Sequence, residues 1–366
     1  MKRMQTWILE IVEGRRNDFA GAVVRAVLFL LSLVYRVAVT LRNWAFDQGW
    51  IKSHSVDASV ISIGNLTVGG TGKTPHVIWL AEQLQAEHEI AIVSRGYGSE
   101  QNSLNDEGME IAHRLPDIIQ VQNRKRILAA QQALAELKGS GGEQPLIIMD
   151  DGFQHRYLKR NLNIVLIDAT NPFGHGHLLP RGLLREPLAA IRRADVAILT
   201  RSDSISPDEA ASIQRQLQSL CAGLIWCETK LVVDGLQDTS GNGKPIDSLA
   251  DEHVLAFCGI GNPVGFRQLL EREGIDVIEM IEFPDHHSYS QPDLQGIYRR
   301  ARELSCSAVV CTQKDMVKIS RINIEPAMLA EDSPTILSLQ ANVQFNSGQQ
   351  KLLDAVSNVT GADSAR

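Results

Sequence analysis

The sequence predicts an α/β protein: a parallel-sheet domain followed by a second, smaller αβα domain joined to it by a β-ribbon. Three observations carry this prediction. From Ala58 onward, short and nearly continuous apolar runs alternate with segments of helical periodicity, the pattern of strands covered on both faces. The turn VGGTGKT stands between the first such run and the first such helix. The run GLIWCETKLVV is long, strand-like and followed by no helix signal, as expected of a connection between domains. The expected organisation is a helical segment over residues 1–52, a first domain over 53–222 and a second over 223–366.

Taken in order, SVISIGN is a strand, and the helix after the glycine-rich turn carries Val77, Leu80, Ala81 and Leu84 at helical spacing. EIAIVSRGYG supplies the next strand and its turn. Residues 105–115 read as loop and helix, DIIQVQN as strand, Arg124–Lys138 as helix and KGSGGEQP as a turn cluster. LIIMDDG, NIVLIDAT and ADVAILTRSD are further strands, each ending in a polar residue. Ligands of such sheets sit at those C-terminal ends. In the second domain HVLAFCGIG, DVIEMIEF, SAVVCTQKD and PTILSLQ read as strands, and the last fifteen or so residues as a polar, frayed tail.

A chain that is 44% hydrophobic and 22% charged has the composition of a globular protein. Nucleic acid is not an expected partner, because the body has no basic stripe with interleaved aromatics. No obligate protein partner is inferred. The five cysteines form no C-x-x-C pair and lie in or beside strand-like runs, so buried free thiols in a reducing compartment are expected.

The first fifty residues differ. Eight Lys/Arg against four Asp/Glu make residues 1–52 basic on a chain of formal charge -7. AVLFLLSLVY (26–35) is uncharged but too short to span a bilayer by itself. At 100° per residue Arg25, Ser32, Arg36 and Asn43 share one narrow stripe, and the rest is apolar except Arg42. This is an amphipathic, membrane-associated helix lying in the interface, or a helix packed on the body or on a second copy.

The glycine-rich turn carries the first chemistry. Thr67, Val68, Gly69, Gly70, Thr71, Gly72, Lys73 and Thr74 lie between a strand and a helix, the context of a phosphate-cradling loop. Glycines permit a backbone nest for phosphate oxygens, Lys73 reaches the β- and γ-phosphates, and Thr74 offers a hydroxyl to Mg²⁺. Thr67 replaces the first glycine of the commonest pattern. The first domain is thus P-loop NTPase-like, with ATP and Mg²⁺ as expected ligands. Asp150 and Asp151, ending an apolar strand, are candidate Mg²⁺ ligands. Gln154, His155 and Arg156 follow as groups to order water or steady phosphate. Asp203 and Asp315 both sit in T-x-x-D, a candidate base-reading pattern. Arg181, Arg185 and Glu186 lie on a proline-bounded loop suited to phosphate. His175 and His177 read as ordinary loop. FPDHHSYS holds an Asp and two His fit for acid–base work or for a hydrogen-bonded turn.

The order SIGNLTVGGTGKTP, SRGYG, NDEG, DDGFQHR, LLPRGLLREPL, ADVAILTRSD, FCGIGNPVGF, FPDHHSYS and TQKD resembles the tetraacyldisaccharide 4'-kinase (lipid A 4'-kinase) family of Gram-negative bacteria. The resemblance implies transfer of the γ-phosphate of ATP to the 4'-hydroxyl of an acylated glucosamine disaccharide 1-phosphate, the lipid A precursor. It implies work at the cytoplasmic face of the inner membrane. It implies Asp106 as the catalytic base with Glu107 beside it, although NDEG departs from the family's G-D-E-P in its flanks. It further implies His286 as the helper of Asp106 across a domain closure, Arg124 as an active-site arginine, and Arg185 and Glu186 as the R-E-P pair, with Glu186 toward the metal. Two other readings share the loop: a nucleotide hydrolase acting as a switch or metal-insertion factor, and a membrane adaptor that binds ATP for structure. Only a kinase would label a glycolipid from ATP.

Overall fold

β1 (Ser59–Asn65) is buried at every residue. It pairs in parallel with β4 (Pro145–Asp150) on one side and β5 (Leu162–Asp168) on the other. Next to β4 lie β2 (Glu89–Ser94) and then β3 (Ile119–Gln122); next to β5 lie β6 (Val196–Thr200) and then β7 (Ile225–Asp238). All these pairings are parallel. Apolar residues run together along these strands because each face is covered. Val60, Val93 and Ile147 pack with Ala129, Ala130, Ala133 and Leu137 of α4 (Arg126–Gly139). Val165, Ile167, Ala197 and Leu199 pack with Ala210, Ile213 and Leu217 of α5 (Pro207–Leu220). The computed structural model describes residues 7, 10–16, 18–96, 104–139, 145–322 and 333–361. Tyr97 and Gly98 of the expected second turn, and Ser140–Gln144 of the expected KGSGGEQP turn, lie outside these residues.

The chain divides into two compact units: Met1–Gly96, Ile118–Lys230 and Phe345–Arg366 form the first, Tyr97–Asp117 and Leu231–Gln344 the second. The sequence suggests a single crossing near residue 222. Instead the chain crosses inside β7 and returns inside β12 (Thr335–Ser347). A strand keeps its backbone pattern while its cover changes, so neither crossing carries a Gly or Pro signal. The expected frayed tail is also corrected: α9 (Gln349–Gly361) is helical and belongs to the first unit. Leu352 and Val356 bury one stripe of it, and its Val359 carbonyl accepts from the Ser59 hydroxyl at 3.1 Å.

In the second unit β9 (His253–Cys258), β10 (Asp276–Glu282), β11 (Ala308–Thr312) and the first part of β12 form a parallel set in the order β10, β9, β11, β12. The end of β7 pairs antiparallel with β8 (Gly243–Lys244). SAVVCTQKD is a strand only to Thr312. From Gln313 it is α8 (Gln313–Ile319), capped by the Thr312 hydroxyl on the Asp315 amide. The described cysteines are all free, and four of the five are buried, as expected.

α1 (Phe19–Asp47) starts at Asp18, whose carboxylate accepts from the Gly21 amide at 2.8 Å. Most of its apolar surface is left open. Its buried positions are Gly21, Ser32, Val39 and Phe46, whereas Leu30, Val34, Val37 and Leu41 are 58–69% exposed, and Arg36 of the polar stripe is exposed too. Tyr35 Oη donates to the Arg185 carbonyl at 2.9 Å, Arg42 pairs with Glu186, and Arg156 donates to the Asn43 carbonyl and to Asp47. The helix is long and apolar enough to cross a membrane. Bonding to folded protein along the segment from Tyr35 to Asp47 fits a helix lying along the domain.

Candidate active site

The loop from Leu66 to Gly72 links β1 to α2 (Lys73–Leu84). Gly69 at φ +116° and Gly72 at φ +80° adopt backbone that side-chain-bearing residues rarely tolerate, so the turn depends on glycine at both positions. Thr67 replaces a glycine without strain because its backbone bridges to Leu184, beside the Val68 amide bonded to the Leu183 carbonyl at 2.8 Å. Thr71 is buried and accepts from Asn65 Nδ2 at 3.1 Å. The first amides of α2 have no intrahelical acceptor and carry the positive end of its dipole, the elementary anion site of a helix start. Lys73 and Thr74 occupy that first turn.

Around Lys73 the structure gathers three of the expected residues. Lys73 Nζ lies 4.0 Å from Asp151 Oδ1, and Arg185 Nη1 donates to both Asp151 oxygens and, at 3.3 Å, to Gln154 Oε1. Gln154 in turn donates to the Asn65 carbonyl at 2.7 Å. Asp151 holds a left-handed backbone, φ +50°, directly after β4. Burial pushes its carboxyl pKa up, but Lys73 and Arg185 more than offset this, and it lies below its ordinary value. Asp150, at the end of β4, is in register with Ile63 of β1 and is buried. Burial and neighbouring arginine charge hold His155 neutral, with a pKa near 4.

Arg124 is exposed, and the arginine that senses the acidic pair is Arg126, 2% exposed and under the field of Asp150 and Asp151. Its Nη1 donates to the Asn123 carbonyl. The helix expected from Arg124 begins at Arg126, and its buried face starts there. Glu186 is corrected as well. It is fully buried, and its two oxygens accept from Arg42 and from Arg193, so here it clamps α1 to the body instead of facing a metal. Arg156 likewise serves α1.

The second unit holds its own cluster. Asp106 opens α3 (Asp106–Arg114), which Asn105 caps. His286, in the loop after β10, places Nδ1 3.0 Å from Asp106 Oδ2, and Lys318 Nζ lies 2.6 Å from the same oxygen. Burial raises the Asp106 pKa, but the bonds from His286 and Lys318 prevail and it falls to about 2. His286 also has left-handed backbone, φ +60°, a costly conformation for a residue with a side chain. Asp106 and His286 were expected to meet only on closure of two domains. They belong to one unit and are already bonded. Glu107 stands beside Asp106 in the same first turn.

Asp315 does not read a base. It is fully buried and accepts from the Gly259 amide, Tyr289 Oη and Thr312 Oγ1, so its T-x-x-D is a helix cap. Asp203 lies in a short 3₁₀ turn at the surface. His175 bonds only locally, to Asn171. Lys318 and Arg126 were missed in sequence reasoning. The lysine pair K-x-x-x-K at 314 and 318, one helical turn apart after a strand, was the available signal.

Among the described residues no three His, Cys, Asp or Glu side chains converge to hold a metal. A nucleotide-bound Mg²⁺ asks for less: one or two protein oxygens, with phosphates and water completing the octahedron. The Thr74 hydroxyl and the Asp150 carboxylate fit that requirement, since the Asp151 oxygens are engaged by Arg185.

The family model described as Tetraacyldisaccharide-1-P 4'-kinase matches residues 24–359. A tetraacyldisaccharide 4'-kinase of Halothermothrix orenii is 34% identical over 350 residues, 88% of this chain and 90% of that one. One from Syntrophus aciditrophicus is 37% identical over 321 residues, 80% of this chain and 84% of its own. Among solved structures, LpxK from Aquifex aeolicus, in its "apo" form in complex with ATP, superposes with a TM-score of 0.70 at 28% identity, covering 92% of this chain and 99% of that one. The chain belongs to the tetraacyldisaccharide-1-phosphate 4'-kinase family.

Proposed function

We propose that the protein transfers the γ-phosphate of ATP to the 4'-hydroxyl of the tetraacyldisaccharide 1-phosphate precursor of lipid A. The family match over residues 24–359 carries this reading. The glycine-rich turn and the start of α2 hold the triphosphate, and Lys73 with Arg185 spreads the charge of a loose phosphoryl-transfer transition state. Thr74 and Asp150 are the residues to hold Mg²⁺, which when bound neutralises phosphate oxygens. Asp106, ionised and steadied by His286, accepts the proton of the sugar hydroxyl. The exposed apolar face of α1 supports docking at the cytoplasmic face of the inner membrane, where an acylated acceptor resides. The test is incubation with γ-labelled ATP, Mg²⁺ and the purified disaccharide in vesicles. Label at the 4'-position supports the reading. Nucleotide hydrolysis without labelled glycolipid would favour the hydrolase alternative.

A further inference from the structure

We infer that Lys318 is a positioning residue for phosphoryl transfer: its ammonium holds Asp106 ionised and turned so that Oδ1, not Oδ2, takes the acceptor proton. The inference rests on Asp106 as the proton acceptor.

Lys318 lies on α8, with its side chain 7% exposed. Burying a lysine is costly unless it is paired, and a residue serving only to pack a helix would be apolar. The ammonium is fixed from two sides, by Asp106 Oδ2 at 2.6 Å and by the His287 carbonyl at 3.0 Å. His286 Nδ1 occupies the same Oδ2. Two cationic or polar donors on one oxygen prevent the carboxylate from rotating and leave Oδ1 to the substrate.

The surrounding charges fit this division of labour. α3 carries Glu107 and Glu110 beside Asp106. From α8, Lys314 lies 3.6 Å from Asp285, and Asp285 lies 3.9 Å from His286 Nε2. Each α8 lysine thus takes one of the two carboxylates flanking His286. During transfer the hydroxyl proton passes to Asp106 Oδ1 as the sugar oxygen bonds to the γ-phosphorus. The bond from that phosphorus to the β,γ-bridging oxygen breaks, and ADP leaves. Protonated Asp106 leaves the buried Lys318 ammonium without a countercharge, so Lys318 drives the proton off to solvent and resets the acceptor.

The test compares Lys318→Met and Lys318→Arg with the parent enzyme and with Asp106→Asn, using glycolipid phosphorylation across pH 3–8. Lys318→Met should lower kcat at least about tenfold with little change in KM for ATP. It should also bring the acid limb of kcat, which in the parent lies below this range, up by more than about one pH unit into it, because an opposite charge beside a carboxylate is lost. Lys318→Arg should restore the limb's position. In Asp106→Asn, adding Lys318→Met should cost little more. If Lys318→Met melts below the assay temperature, Lys318→Gln carries the same comparison without the charge. A Met or Gln variant with the parent's pH profile overturns the proposal while Asp106→Asn remains inactive. Activity in Asp106→Asn would instead overturn the reading on which it rests.

Discussion

Arg185 donates through one nitrogen, Nη1, to both carboxylate oxygens of Asp151, at 2.8 and 2.9 Å. Asp151 also faces Lys73, so the arginine sets the carboxylate that sets the lysine. Arg185→Met should therefore lower kcat for glycolipid phosphorylation by about 10²-fold, the scale of losing one charge-stabilising donor. It should also raise KM for ATP. Asp151→Asn added to it should cost less than the product of the two single losses. Steady-state kinetics of the three variants checks this.

The two faces of α1 should respond oppositely. Val34→Asp with Val37→Asp alters only exposed apolar surface and should abolish pelleting with anionic vesicles while unfolding free energy changes by less than about 1 kcal/mol. Arg42→Ala removes one partner of the fully buried Glu186 and should cost about 1–3 kcal/mol. Vesicle sedimentation and urea unfolding measure the two effects.

His76 supplies a pH signature. Its Nδ1 meets the Gly72 carbonyl at 2.7 Å, which requires that nitrogen to carry the hydrogen, and its Nε2 meets Thr229 Oγ1 at 3.0 Å. Burial, aided by the charge of Arg201 and opposed by the Gly72 bond, lowers its pKa from 6.5 to about 4. The unfolded chain therefore binds this proton first. The contribution is complete above pH 6.5 and is lost as pH falls toward 4, amounting to roughly 2 kcal/mol by pH 5. His155 titrates in the same window, so the wild-type slope contains both. His76→Gln should remove its own share: the difference in unfolding free energy between variant and parent should shrink by roughly 2 kcal/mol from pH 7 to pH 5.

Much of this was legible in the sequence. Buried parallel strands announce themselves as unbroken apolar runs, so β1, β4, β5 and β6 fall where VIS, LIIM, NIVLI and VAILT predict them. The loop was legible because its chemistry needs glycine, lysine and threonine at fixed spacing. Contacts set by distant segments were not. Glu186 looks like a ligand until Arg42, 144 residues away, takes it. Asp106 looks remote from His286 until residues 104–117 are seen to belong to the second unit. The tail read as frayed because Leu352 and Val356 are its two fully buried anchors in a polar stretch, and a stripe that thin gains its helix from packing rather than propensity.

The most direct measurement is the turnover of Asp106→Asn in glycolipid phosphorylation, beside its affinity for ATP. The asparagine keeps the shape and loses the basic oxygen. A fall in kcat of about 10²–10⁴-fold with ATP affinity unchanged is the predicted result. Turnover within a few-fold of the parent would contradict the account.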